Sequence, residues 1–300
     1  MLRRKIFHVR LPSRTLTLGQ RTLVMGILNV TPDSFSDGGL FLNPAAAVSR
    51  ALQMEQDGAD IIDIGAESTR PGSETVSATE QIDRILDVLE KLSGKLKIPI
   101  SIDTSNSQVA EIAARSGAEI INDVTGLRAD PKLAEVARRR KLPIILMHMR
   151  GEPRTMQKKP FARNVMRDVT QGLRRSVAIA VKARIPLSQI ILDPGIGFGK
   201  TFAQDYELIA RLSEFSRLGF PLLVGTSRKK FIGRVLDGRP APERVFGTAA
   251  TVAACILNGA HIVRVHDVAE MVQVARVTDA VLSPESARLH AKSAKISKIE

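Results

Sequence analysis

Apolar runs of strand length recur along the chain, and polar residues follow each of them. The run at 23–28, LVMGIL, is apolar throughout, which is typical of a buried parallel strand. Amphipathic stretches fill the intervals between the runs and predict helices. Eight runs meet this description, at 23–28, 60–65, 98–103, 119–123, 143–147, 189–193, 221–225 and 261–265.

Helix start signals precede several of the amphipathic stretches. Asn43-Pro44 and Asp130-Pro131 each offer a capping side chain followed by proline at the first helical position. A Ser-x-x-Glu capping box begins at Ser77, before a helix that runs to about residue 92. Further helices are predicted at 106–116, 163–184, 205–216, 243–258 and 269–282.

A short turn closes three of these helices and opens the next strand. DGADIIDIG, SGAEIINDV and NGAHIVRV repeat it, and Gly58, Gly117 and Gly259 suit the left-handed position that ends a helix. Eight strands alternating with helices predict an α/β fold, a single (β/α)8 TIM barrel. An open doubly wound sheet is the structural alternative, but it needs a break between two halves, and no linker marks one.

The composition is that of a globular protein, with 44% hydrophobic and 25% charged residues among 300. We divide the chain into a basic N-terminal arm at 1–20, the barrel at 21–282 and a frayed tail at 283–300. The single cysteine, Cys255, lies in an apolar run and is predicted to be a buried structural thiol, which suits a reducing compartment. Neither a secretory apolar core nor a membrane-length run is present, so we expect a cytoplasmic protein without a membrane partner.

The net charge of +13 raises the alternative of nucleic-acid binding. The Lys and Arg residues are spread along the chain and include both ends, whereas nucleic-acid-binding proteins usually concentrate them on one motif, often beside aromatic side chains. Here there is one Tyr and no Trp. Because a positive field equally attracts a small polyphosphate substrate, we expect no nucleic-acid partner.

Polar side chains end every predicted strand, on the barrel face that carries active sites. One such residue alone would fit a helix cap, but eight strand ends are harder to explain that way. Asp103, Asn122 and Asp193 offer acceptors and donors for the edge of a flat heterocycle. Cationic side chains suited to phosphate are also present: Arg70, Lys229, Arg264 and His266. We therefore predict a nucleotide-like or pterin-like phosphorylated substrate.

The glycine-rich segment DPGIGFGKT, residues 193–201, fails both nucleotide-binding patterns. A Walker A loop needs glycine where Pro194 stands, and a dinucleotide fingerprint needs glycine where Lys200 stands. Its glycines are better explained by a tight loop or by close approach of backbone to a ligand.

A resident zinc site is not expected, because Cys and His are not clustered. A magnesium ion carried in with a diphosphate needs few protein ligands, and Asn29 could supply one. His148, between two methionines, is interpreted as structural. The long polar loop at 31–39 is predicted to be a lid.

Eight motifs in order resemble those of the dihydropteroate synthase family. The resemblance runs from about residue 24 to residue 268, and the motifs read ILNVTPDSFSDGG, IGAESTRPG, SIDT, INDVTG, MHMRGEPRTMQ, DPGIGFGKT, GTSRKKFIG and RVHDV. The resemblance implies a transferase that joins 6-hydroxymethyl-7,8-dihydropterin diphosphate to 4-aminobenzoate, giving 7,8-dihydropteroate and pyrophosphate. It also implies a homodimer, Mg²⁺ as cofactor, and inhibition by sulfonamides, which mimic 4-aminobenzoate.

The resemblance carries roles to matching positions of this chain. The pterin ring would be held by Asp103, Asn122, Asp193 and Lys229, with Asp63 and Met147 nearby. The diphosphate and magnesium would meet Asn29, Arg70, Arg264 and His266. The aminobenzoate side would be formed by Thr69, Pro71, Phe198, Ser227 and Lys229, with Phe35 closing over it. Catalysis itself is expected at Asp103, Lys229 and Arg264, because charge develops on the leaving diphosphate and on the carbon it leaves.

Two alternatives stay open at this point. A methyltransferase that moves a methyl group from a folate to a corrinoid protein uses a similar pterin-binding barrel. It would need no diphosphate-binding segment such as Ser227-Arg228-Lys229. A non-catalytic pterin-binding or nucleic-acid-binding protein would have no reason to keep polar groups at every strand end.

Overall fold

A closed barrel of eight parallel strands forms the body of the protein in the computed structural model, which describes residues 4–31, 43–67, 76–151, 156 and 163–283. The strands are β3 (Leu23–Asn29), β4 (Ile61–Gly65), β5 (Ile100–Asp103), β6 (Ala118–Asp123), β7 (Ile144–Met147), β8 (Ile190–Asp193), β9 (Leu223–Val224) and β10 (Ile262–Val265). They pair in the order β8-β7-β6-β5-β4-β3-β10-β9, and a parallel bridge between Leu192 of β8 and Leu222, next to β9, closes the barrel. This confirms the predicted TIM barrel and its eight strands.

Helices cover the outside of the barrel. Those among the described residues are α1 (Pro44–Gln56), α2 (Ala78–Leu92), α3 (Ser107–Arg115), α4 (Lys132–Arg140), α5 (Val165–Lys182), α6 (Phe202–Ala210), α7 (Lys230–Val235), α8 (Val245–Leu257) and α9 (Val268–Leu282). Short 3-10 turns lie at Leu187–Gln189, Leu212–Leu218 and Ala241–Arg244. Within the described ranges, no helix is both long and apolar enough to cross a membrane.

The predicted helix start signals are present in the structure, but two of them differ in detail from the prediction. Asn43 caps α1 with Pro44 at the first turn, as expected. Ser77 accepts from the Glu80 N–H, but the Glu80 carboxylate pairs with Arg84 and does not complete a capping box. At α4, proline stands at the cap rather than inside the helix, because the helix begins at Lys132.

The prediction of one helix over 205–216 is wrong in its bounds. Thr201 and Gln204 form a reciprocal capping box, so α6 begins at Phe202. It ends at Ala210, and a 3-10 turn continues to Leu218. The three glycines predicted to end helices, Gly58, Gly117 and Gly259, all have φ between 99° and 101°.

The N-terminal arm contains a hairpin that the sequence reading did not predict. Strands β1 (Phe7–Arg10) and β2 (Thr15–Leu18) pair antiparallel. Val9, Leu11 and Leu18 are buried against the interior of the barrel at its amino end. The hairpin therefore closes the bottom of the barrel and joins its core.

Arg4 fixes the start of this segment to the rest of the protein. Its guanidinium donates to the Ala260 carbonyl at 2.9 Å and to the Asp279 carboxylate at 2.5 Å. Thr22 completes the group, since its N–H donates to Asp279 at 2.6 Å. A buried, satisfied ion pair thus links residue 4 to the last described helix.

The barrel interior changes from apolar to polar along most of the strands. Near the amino end it is filled by a layer of buried aliphatic residues, namely Leu23, Met25, Ile61, Ile120, Ile145, Ile191, Leu223 and Ile262. Because side chains in a strand alternate with period two, the residue two positions later points to the same interior. Those next positions are Asp63, Asn122, Met147, Asp193 and Arg264. The fold itself therefore gathers the predicted polar residues at the mouth of the barrel.

Candidate active site

Asp63, Asp103 and Arg264 form one ion network in the mouth of the barrel. The Arg264 Nε donates to Asp63 at 2.6 Å, and its Nη2 donates to Asp103 at 2.7 Å. The Asn122 amide also donates to Asp63, at 2.9 Å. Asp63 is fully buried and Asp103 nearly so. One guanidinium therefore neutralises two carboxylates that water hardly reaches.

Burial and neighbouring charge set the pKa of both partners in this network. Burial raises the pKa of Asp103 to about 7; the Arg264 charge opposes this and the Asp63 charge adds to it. Burial acts to lower the pKa of Arg264, but the charges of Asp63 and Asp103 outweigh it and raise that pKa overall. Asp103 can thus exchange a proton near neutral pH, while Arg264 stays charged.

Lys229, in the loop after β9, and Asp193, at the end of β8, form a second pair of charges. Burial lowers the pKa of Lys229 to about 8, against the raising effect of Asp193 and Asp205. Burial raises the pKa of Asp193, whose carboxylate accepts from the Gly195 N–H at 2.7 Å. The Lys229 ammonium donates to the carbonyl of Ile196 and lies 4.3 Å from the centre of the Phe198 ring.

Ser227 and His266 join the loops after β9 and β10. Their side chains meet at 2.9 Å between Oγ and Nδ1, and the His266 backbone N–H donates to the same Oγ at 3.1 Å. Arg228, in the left-handed region at φ 58°, pairs with Asp267 next to them. These contacts fix the loop that carries Lys229 to the loop that follows Arg264.

An apolar wall lies beside the charged groups. Val124, Met147, Met149 and Met156 are buried together, and Phe198 packs against them. Such a wall suits the face of a flat ring, while the carboxylates and amides suit its edge.

Asn29 stands at the end of β3, half-buried, with its amide on the interior side of the alternation. Within the described residues, no group of three or more His, Cys, Asp or Glu side chains could hold a metal. A single amide oxygen fits a magnesium ion that takes its other ligands from a diphosphate and water. It does not fit a metal held by the protein alone.

Several predicted site residues lie outside the described part of the chain. They are Thr69, Arg70 and Pro71, together with Phe35 and all of the predicted lid except Thr31. Their roles stay predictions.

The structure joins groups that the sequence reading had separated. Asp63 and Asp103 were assigned to the heterocycle and Arg264 to the phosphate, yet the three are directly bonded. Residue type alone indicates what a side chain could bind, but it does not indicate which neighbour it meets across the barrel.

Two buried charges, Lys200 and Asp205, were missed. Lys200 is 2% exposed and Asp205 accepts from the Gly197 N–H at 2.6 Å. The only signal in the sequence was a lysine inside the glycine-rich segment, and a sequence pattern does not indicate which way that side chain points.

The expectations for Cys255 and His148 agree with their surroundings. Cys255 is 1% exposed and burial raises its pKa to about 12, which confirms the buried thiol. His148 is also buried, and burial lowers its pKa to about 2, so its ring is neutral. Neither side chain is placed to act as a nucleophile or a base.

Comparison with known proteins agrees with this geometry. The sequence profile described as "Pterin binding enzyme" matches residues 25–266. Dihydropteroate synthase of Synechocystis sp. is 50% identical over 263 residues, which are 88% of this chain and 91% of that protein. The enzyme of Yersinia pestis, solved with a sulfonamide drug, is 42% identical with a TM-score of 0.87 over 93% of this chain and 100% of that chain. The enzyme of Xanthomonas albilineans, solved with 4-aminobenzoic acid, is 38% identical with a TM-score of 0.87 over 93% and 99% of the two chains. The chain therefore belongs to the dihydropteroate synthase family of pterin-binding enzymes.

Proposed function

We propose that this protein is a dihydropteroate synthase, a transferase that condenses 6-hydroxymethyl-7,8-dihydropterin diphosphate with 4-aminobenzoate. The observation that carries the proposal is the mouth of the barrel. There, Asp103 and Asp193 face two cations, Arg264 and Lys229, beside the apolar wall that includes Met147. A pterin diphosphate presents the matching chemistry: a flat ring, an edge of N–H and C=O groups, and a dense negative charge.

In the proposed complex, the ring lies between the apolar wall and the ion network. Asp193 and Asp103 accept from ring N–H groups, and the Asn122 amide and the Lys229 ammonium donate to ring acceptors. These side chains are already held by neighbours, since Asn122 bonds to Asp63 and Lys229 to Ile196. Such preorganisation lowers the entropic cost of aligning the substrate.

The reaction breaks the bond between the pterin methylene carbon and the diphosphate oxygen, which leaves with the electron pair. The aniline nitrogen of 4-aminobenzoate then forms the C–N bond and loses a proton. Positive charge develops on the carbon in between, and an ionised Asp103 near the ring stabilises it. Arg264, Lys229 and His266 lie on the loops and strand ends where cationic groups can stabilise the leaving diphosphate. No side-chain nucleophile is required.

The aminobenzoate side is proposed at Phe198 and Ser227, next to Lys229. Phe198 packs on the apolar wall and supplies a ring face, while Ser227 is held by His266. The complexes of the Yersinia pestis and Xanthomonas albilineans enzymes with a sulfonamide drug and with 4-aminobenzoic acid support this class of second substrate. Sulfonamides are accordingly expected to compete with 4-aminobenzoate.

We also propose Mg²⁺ as the metal, bound with the diphosphate and contacted by Asn29. When bound, the ion neutralises charge on the leaving group. Asn29→Ala should raise the Mg²⁺ concentration for half-maximal activity about tenfold, as expected for the loss of one ligand. An unchanged requirement would remove Asn29 from the metal site.

A homodimer is proposed on an exposed apolar face. Helices α8 and α9 pack side by side and present large apolar side chains to solvent, namely Phe246 at 84% exposure, Leu257 at 42%, Val277 at 66% and Val281 at 54%. A second copy of this chain would bury them. Phe246→Glu should shift the protein toward monomer in analytical ultracentrifugation, whereas a wild-type monomer would contradict the proposal.

A cytoplasmic location stays a prediction from the single cysteine.

The decisive experiment incubates purified protein with Mg²⁺ and both substrates and separates the products by chromatography. Dihydropteroate and pyrophosphate should form in equal amounts, and omission of 4-aminobenzoate should abolish the pteroate. Lys229→Ala should lower kcat/KM for the pterin diphosphate about 10- to 100-fold through lost positioning. Lys182→Ala, on the exposed flank of α5, is the matched control and should retain activity. No dihydropteroate from folded wild-type protein would refute the function.

A further inference from the structure

Lys200 ends the glycine-rich loop that follows β8, and its side chain points into the protein. It is 2% exposed. Its ammonium donates to three backbone carbonyls, those of His148 at 2.9 Å, Pro194 at 3.0 Å and Gly195 at 2.6 Å. An ammonium has three N–H donors, and all three are used here. Lys200 therefore has no donor left for a substrate.

The carbonyls that Lys200 binds belong to two different loops. Pro194 and Gly195 follow β8, whereas His148 follows the neighbouring strand β7. The two loops touch so closely that a Cβ on Gly195 would collide with the His148 carbonyl oxygen, and one on Gly199 would collide with the Arg150 carbonyl oxygen. Lys200 thus ties the start of the β8 loop to the β7 loop at His148.

The fastened loop is the support for Lys229. The Ile196 carbonyl accepts from the Lys229 ammonium, and the Phe198 ring lies 4.3 Å from it. The fit allows little displacement, because a Cβ on Gly197 would come within 2.8 Å of the Lys229 Cδ. Any movement of residues 194–198 therefore moves the acceptor and the ring that hold Lys229.

Two carboxylates surround the Lys200 charge and make its burial tolerable. Burial lowers the pKa of Lys200, while the charges of Asp205 and Asp193 oppose that shift. Three carbonyl acceptors also require the protonated form, since a neutral amine has only two N–H groups. A buried charge is costly, and here three carbonyls and two carboxylates offset that cost.

We propose that Lys200 is a positioning residue for pterin binding: by bonding the carbonyls of His148, Pro194 and Gly195, it holds the β8 loop so that Ile196 and Phe198 orient Lys229 toward the pterin. Lys200 acts through Lys229 and touches no substrate. This inference rests on the proposed function.

A double-mutant cycle tests it, with 6-hydroxymethyl-7,8-dihydropterin diphosphate as the probe in isothermal titration calorimetry without 4-aminobenzoate. Lys200→Met removes the ammonium and keeps the chain length. Its Kd for the probe should rise about tenfold or more, because misplacing a binding group by about 1 Å has effects of this size. In a Lys229→Ala background the same substitution should change Kd by less than about threefold, since coupled residues are not additive.

Arg4→Met is the matched control, because Arg4 is also a buried cation that donates to a backbone carbonyl, at the opposite end of the barrel. It should lower the melting temperature and leave Kd unchanged. If Lys200→Met does not fold, Lys200→Gln, whose amide can still donate to two carbonyls, is measured in the same cycle. An equal loss in both backgrounds, or an unchanged Kd in a folded Lys200 variant, overturns the proposal. An inactive wild type refutes the synthase function instead.

Discussion

The two ends of the barrel interior are built from the same strands, but one buries apolar side chains and the other buries charged ones. At the bottom, Ile61, Ile191 and Ile262 meet the hairpin residues Val9 and Leu18 in a dry apolar layer. At the mouth, the residues two positions further along those strands are Asp63, Asp193 and Arg264. The bottom gains free energy from burying apolar surface, whereas the mouth buries charges that only their mutual pairing makes tolerable.

The difference shows in which polar atoms find partners. The Oδ1 of Asp63 and the Oγ of Ser101 are buried at the mouth without a protein partner in the described ranges. At the bottom, Arg4, Thr22 and Asp279 satisfy one another. Groups at the mouth are thus arranged at a cost in stability, as expected where binding rather than folding selects the residue.

Removal of the cation at the mouth should have the largest effect on turnover. Arg264→Met leaves the carboxylates of Asp63 and Asp103 facing each other without a counter-charge. We expect kcat to fall about 100- to 1,000-fold, the range for losing one preorganised charge-stabilising group. Steady-state kinetics measures this, with melting temperature as the check on folding. A folded variant with more than half the wild-type kcat would place Arg264 outside the chemistry.

The pH profile should show a second, smaller effect. Asp103 ionises above about pH 7 and Lys229 loses its charge above about pH 8, so kcat/KM for the pterin diphosphate should peak between them. It should fall about tenfold per pH unit on the acid side and similarly on the alkaline side. A flat profile between pH 5.5 and 7 would exclude ionised Asp103 as a requirement.

Stability should respond to the same carboxyl group in the opposite direction. The folded-state pKa of Asp103 is raised, so its contribution is complete below the reference value of 3.8 and is lost as pH rises through about 7. Denaturation of wild type should therefore show this loss of stability, and Asp103→Asn should lack it. The mouth gains activity over the pH range where it loses stability.

Truncation of a side chain at the bottom should lower stability and leave turnover nearly unchanged, the reverse of the effect expected at the mouth. Leu18 is fully buried, and Leu18→Ala should lower the free energy of unfolding by about 2–5 kcal/mol. Turnover at 25 °C should stay within about twofold of wild type, because the residue lies behind the apolar layer. Urea denaturation and steady-state kinetics on one preparation test both halves. A large loss of kcat in folded protein would mean that the two ends are coupled.

The smallest effect is expected at Cys255. Cys255→Ala removes a buried thiol that burial keeps protonated, with its pKa raised to about 12. We expect a loss of about 1 kcal/mol in stability from the missing packing and no change in turnover. Thiol-directed alkylating agents should accordingly fail to inactivate the native enzyme. A folded but inactive variant would contradict the structural role.

Periodicity predicted the barrel because its information is local. Each strand is an apolar run, three of them directly after a glycine turn, and the eight runs appear in the structure at nearly the predicted positions. The hairpin was not predicted, because FHVR and TLTL are only four residues each and the basic charge was the only property of the arm that entered the prediction. The residues it packs against, such as Ile145 and Ile191, lie far along the chain, so no local pattern predicts this packing.

The site was predictable in composition but not in its connections. Strand alternation explains why Asp63, Asn122 and Asp193 share one interior. It does not explain why Arg264 bonds two carboxylates, or why Lys200 binds carbonyls of the β7 and β8 loops. Those bonds depend on distances across the barrel, which only the closed fold sets.

The bond between Arg4 and Asp279 also has a consequence for synthesis on the ribosome. The hairpin emerges early, whereas Asp279, on the last described helix, emerges 275 residues after Arg4. Until then, Val9 and Leu18 have no complete layer to cover, and the nascent chain carries exposed apolar surface. The bottom of the barrel is therefore the last part to be sealed, and chains that terminate early should be strong clients of chaperones and proteases.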